Sequence, residues 1–141
     1  DQLTPEYVWR DAWRQHPNQV TDIVEYVFAS QHPSASAAIY KQLFPHVAIQ
    51  AEDHNEYWFQ AGTAKIRFLT VQKAKQEFKD IVFSDQDSER RVALVLSTKS
   101  VHAVHAALEQ GHIKPISHSA DAVLVGASDA SGVALKFVQG K

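Results

Sequence analysis

The sequence predicts an α+β domain built from two similar halves, each with a curved sheet. Two observations carry this. A strand-like segment, a helix-like segment and about three more strand-like segments run through residues 20–70, and the same order recurs through residues 90–139, which counts as an internal repeat. Eight short strand candidates also stand beside two clear helices, a mixture that suits helices packed on a sheet. The 141 residues, 45% of them apolar, suit one domain able to bury a core without covalent staples.

The elements follow in order. Asp1 to Gln19 has no clean period, but Tyr7, Trp9 and Trp13 stand between charges, with Pro5 and Pro17 as punctuation. Such an aromatic arm is expected to pack on the domain or on a neighbouring chain, because indoles are costly to leave in water. Ile23–Ser30 is rich in β-branched and aromatic residues and reads as a strand. Ser34–Phe44 repeats apolar residues at helical spacing, with Ser34 as its expected N-cap. Val47–Gln50 and Glu56–Gln60 read as a hairpin around the polar turn Glu52–Asn55, and Ala64–Leu69 alternates like a strand. Val71–Lys79 is a short helix or turn joining the halves. Arg91–Ser97 then opens the second half as a strand. Ser100–Gln110 follows as a helix that puts Val101, Val104, His105 and Leu108 on one face, with Gly111 as C-cap. Lys114–Ser117, Ala122–Val125 and Val133–Val138 are the last strands.

Several function classes fall away. The 14 basic against 16 acidic residues leave a net charge of −2, so no strong field draws nucleic acid or an anionic membrane. No apolar run approaches the roughly 20 residues of a membrane span, and no signal peptide is visible in the polar, aromatic stretch Asp1–Gln19. The absence of Cys excludes disulfides, thiolate metal sites and Cys nucleophiles, and it suits a cytoplasmic location. The absence of any Met, start residue included, sets the expectation of a piece of a longer protein. No G-x-S-x-G elbow, P-loop or G-x-G-x-x-G occurs. Among eight histidines, His102 and His105 share a helix face at i, i+3 spacing. No carboxylate pair accompanies them, so a packed His105 and an exposed His102 are expected. His54, His112 and His118 are expected at the surface. Tyr57, Trp58 and Phe59 alternate along one strand, Tyr57 and Phe59 on one face and Trp58 on the other.

The stretch TDIVEYVFASQHPSASAAIYKQLF resembles the opening of a glyoxalase-like domain of the vicinal oxygen chelate superfamily. VHAVHAALEQGHI and ADAVLVGASDASGVALKFVQ resemble its close. The tail GVALKFVQ is the most specific piece, since the corresponding run commonly reads GVALEFV. The leading TPEYVWRDAWRQHPNQ resembles the segment joining two such domains in longer bacterial proteins. The resemblance covers Gln19 to Gln139.

It implies paired βαβββ modules around a cleft that, in catalytic relatives, holds a divalent metal on ligands from the first and last strand of each module. Those positions fall here on Glu25, Arg67, Arg91 and Lys136. Charged Arg and Lys have no lone pair to give a metal, and three cations with one carboxylate make no cage. The expectation is therefore a cleft without metal or cofactor, in which either Glu25 pairs with Arg91 or Lys136 in a salt-bridged centre or the surplus positive charge holds an anion instead. The expected cleft set is Glu25, Arg67, Arg91, Lys136, Tyr57 and Phe59. Three functions stay open: a metal-free domain binding a small, anionic or amphipathic molecule; a metal-dependent lyase, isomerase or dioxygenase; and a structural or dimerisation module. A homodimer or a companion N-terminal domain is the expected protein partner.

Overall fold

The computed structural model describes residues 20–84, 86–130 and 132–140. The aromatic arm, with Tyr7, Trp9 and Trp13, lies outside them. The described chain runs β1 (Val20–Ser30), α1 (Pro33–Leu43), β2 (Gln50–Glu52), β3 (Glu56–Ala61), β4 (Ala64–Thr70), α2 (Val71–Phe78), β5 (Glu89–Thr98), α3 (Val101–Gln110), β6 (Ser117–His118), β7 (Ala122–Val125) and β8 (Ala134–Gln139). These are two βαβββ modules joined through α2. No helix among the described residues is long and apolar enough to cross a membrane.

The modules do not keep separate sheets. One curved, unclosed sheet runs β2-β3-β4-β1-β5-β8-β7-β6. β1 pairs antiparallel with β5 at its centre, and each first strand also pairs parallel with the last strand of its own module. The register places Val27 opposite Arg67 in the first module and Val95 opposite Lys136 in the second. Arg67 and Lys136 thus hold the same slot of the repeat.

The two faces differ. On one, α1 packs over Phe59 and Phe68 while α3 packs over Leu94, Leu96 and Phe137. Tyr40 lies 5.3 Å from Phe68 and 5.8 Å from Phe59, ring centre to ring centre. On the other, α2 buries Ala74 and Phe78 completely against Val27, Ala29, Leu69 and Val92. α2 forms because VQKAKQEF sets Ala74 and Phe78 four apart and because Thr70 Oγ1 accepts the Lys73 N–H at 3.2 Å.

Some local expectations change. Helix α1 starts one residue early, at Pro33, whose fixed φ suits the first helical position. Its N-cap is His32, not Ser34. The sharp entry is held instead by Ser30 Oγ, which accepts the His32 N–H at 3.0 Å and lies 2.8 Å from the buried Ser36 Oγ. Strand β2 sits later than expected, so Val47 and Ile49 pack beneath α1 as loop residues. Ser100 caps α3 by accepting the Ala103 N–H at 3.0 Å. Gly111 follows as C-cap, although the left-handed residue that turns the chain is His112, at φ 58°.

Candidate functional site

One guanidinium gathers the charged groups on the α2 side of the sheet. Arg67 on β4 points into a hollow of about 310 Å³. Its Nε and Nη2 donate to Glu56 of β3, both at 2.8 Å. Its Nη1 and Nη2 donate to Glu77 of α2 at 2.7 and 2.9 Å, and Nη1 also donates to Glu25 of β1 at 3.0 Å. A guanidinium has five N–H donors, and these five bonds can engage all of them. Lys73, one helical turn before Glu77, meets Glu56 Oε1 at 3.0 Å.

Electrostatics follow from this packing. Burial pushes the Glu56 carboxyl up, but the hydrogen bonds and charges of Arg67 and Lys73 outweigh it and hold the group at about 2. Arg67 behaves in the opposite sense. Burial alone would lower its value, while Glu56 and Glu77 raise it well above the ordinary guanidinium range.

The donor set does not fit a divalent cation. Both oxygens of Glu56 and both of Glu77 are spent on cationic side chains, as is one oxygen of Glu25. A metal would need the space and lone pairs that Arg67 uses, and no cluster of His, Asp and Glu among the described residues is arranged to hold one.

Across the hollow, Lys136 of β8 is half-buried and has no carboxylate within 4.0 Å among the described residues. Lys65 of β4 lies over the Trp58 ring, its Nζ 4.2 Å from the ring centre. Glu52 stands at the rim.

No protein-family model and no curated protein matches this sequence. Solved structures do match its fold. Methylmalonyl-CoA epimerase from Mycobacterium tuberculosis superposes with a TM-score of 0.64 at 13% identity, over 88% of this chain and 91% of that one. A Streptomyces coelicolor methylmalonyl-CoA epimerase variant, in complex with 2-nitronate-propionyl-CoA, gives 0.61 at 13% identity, over 86% and 99%. A hypothetical protein from Bacillus halodurans C-125 gives 0.58 at 12% identity, over 85% and 94%. The chain has the glyoxalase-like, vicinal oxygen chelate fold.

Within this glyoxalase-like domain the expected site residues separate. Glu25, Arg67 and Lys136 line one hollow. Glu25 pairs with Arg67, not with Arg91 or Lys136. Arg91 does not line that hollow. A bulge between Val27 and Phe28 skips Val92 in the pairing, so Arg91 stands opposite Phe28 and shares its face, away from the cleft. Tyr57 and Phe59 also turn to the far face, beneath α1. Trp58 takes the cleft position, because it stands opposite Arg67.

The surplus of positive charge does not materialise either. Glu25, Glu52, Glu56 and Glu77 face Lys65, Arg67, Lys73 and Lys136, four against four. Glu56, Glu77 and Lys73 are the residues that sequence reasoning missed. Their signal was the spacing Lys73–Glu77 beside Ala74–Phe78, which marks a helix with one buried edge and one charged edge. His105 and His118 stack at 4.7 Å, His102 is exposed, and His54, His112 and His118 lie at the surface.

Proposed function

We propose that this glyoxalase-like domain binds a small anionic or amphipathic molecule in its cleft without a catalytic divalent metal. One observation carries the reading: the Arg67 guanidinium, which lines the cleft, has its five hydrogen bonds spent on Glu25, Glu56 and Glu77. Arg67 is then structural. The groups left to receive a ligand are Lys136 and Lys65, neither of which has a carboxylate within 4.0 Å among the described residues, and the Trp58 ring beneath Lys65. The solved epimerase structures hold acyl-CoA compounds, which makes a small acyl anion a reasonable first class to try. A cytoplasmic location, with a companion domain or second copy as partner, belongs to the same reading.

The test is calorimetric. Titrating the purified chain with Zn, Mn, Fe and Ni should give no stoichiometric binding. Small carboxylates should bind and should be weakened by Lys136→Gln. A metal bound through Glu25 at micromolar affinity would overturn the proposal in favour of a metal-dependent lyase, isomerase or dioxygenase.

A further inference from the structure

The charges of the cleft balance in number but not in place. The ion pairs of Arg67 and Lys73 engage both oxygens of Glu56, both of Glu77 and Oε1 of Glu25. Four charged groups of the cleft stand outside that network. Two are cations, Lys136 and Lys65, and two are acceptors, Oε2 of Glu25 and the exposed carboxylate of Glu52. The sheet register fixes where the signs stand. Glu25 is opposite Lys65 on one side and Val95 on the other, and Val95 is opposite Lys136. The row Lys65, Glu25, Val95, Lys136 thus crosses four neighbouring strands, and all four residues line the hollow of about 310 Å³. Glu25 and Lys136 stand two strands apart, roughly 10 Å between Cα atoms, with buried Val95 as the floor between them. Lys65 does not close onto Glu25, because it lies over the Trp58 ring. A hollow of this size is at the small end of ligand sites, about 300 Å³.

A bare carboxylate on Lys136 would leave the filled cleft with an excess negative charge and would face the open oxygen of Glu25, a like charge that repels it. A ligand that also carries an ammonium group keeps the balance and gives that oxygen a donor. We infer that the ligand is a compact zwitterion, its carboxylate on Lys136 and its ammonium group on Glu25 Oε2, with Glu52 adding to the field at the rim. This rests on the binding reading above and names the ligand's class, an amino acid or a molecule charged like one.

The experiment follows amide shifts of the nitrogen-15-labelled chain at neutral pH on titration with butyrate, 2-aminobutyrate, 4-aminobutyrate and butylamine. The two amino acids hold their charges at different separations. The better of them should bind at least about tenfold tighter than butyrate, the size of one charge-assisted hydrogen bond, and tighter than butylamine. Glu25→Gln keeps an acceptor for Arg67 but removes the charge, and it should erase the advantage over butyrate. Glu52→Gln, at an exposed position outside the Arg67 network, should reduce that advantage about twofold. Lys136→Gln should weaken butyrate and the amino acids alike. Butyrate binding as tightly as both amino acids would overturn this inference while leaving the binding reading standing. An advantage that survives both glutamate variants would likewise remove the ammonium group from Glu25. Failure of every carboxylate to bind, or tightest binding by butylamine, would overturn both.

Discussion

Arg67 shows what a buried guanidinium requires. Its charge can be removed from water only if every N–H finds an acceptor, and three glutamates from three elements supply them. Arg67→Met would leave those carboxylates packed together without their cation. Breaking a buried ion pair from one side costs about 3–5 kcal/mol, and urea unfolding of that variant should show a loss of this size. Arg67→Lys, with three donors, should recover only part of it. Acid should act through Glu56. Its folded value of about 2 lies below the ordinary 4.5, so its stabilisation is complete above pH 4.5 and is lost as pH falls toward 2. The difference amounts to on the order of 3 kcal/mol. Glu56→Gln should flatten the decline of the urea midpoint across that range. Glu25 and Lys136 were legible in the sequence because each sits in a run resembling a known strand. The partners of Arg67 were not, since contacts with residues 42, 11 and 10 positions away depend on how strands align.

Among the elements, α2 serves the core and the cleft at once. Its apolar edge roofs the core with Phe78, and its charged edge closes the cleft with Lys73 and Glu77. Phe78→Ala should cost about 3–5 kcal/mol from lost burial and the remaining cavity, measured by thermal or urea unfolding. Ser100→Ala removes the cap of α3 and should cost about 1 kcal/mol, with Ser100→Asp close to wild type. The strands and the two long helices were readable from periodicity, because burial on one face imposes it. Two details were hidden. The bulge that turns Arg91 away from the cleft breaks alternation without leaving a mark in composition. The shift of β2 is invisible for another reason: Val47 and Ile49 have good strand chemistry and satisfy it by packing beneath α1 as loop residues.

For the whole molecule, the seam between β1 and β5 makes the two modules one folding unit. Nine residue pairs cross it, and the core beneath α2 draws on strands of both halves. Unfolding should therefore be a single cooperative transition. In a Trp9→Phe/Trp13→Phe background, Trp58 fluorescence reports the first module while far-ultraviolet circular dichroism reports both. The two denaturation curves should coincide, and separate midpoints would show that the modules unfold independently.

An eight-stranded sheet that does not close must end twice. It ends here on β2, three residues long, and on β6, two residues long. Either rim offers few free backbone groups, and Glu52 and His118 stand there exposed to water. A passing extended chain would find almost nothing to zip onto. Lengthening either rim with β-branched residues should therefore cost little folding stability and yet seed fibrils, by turning a blunt end into a template.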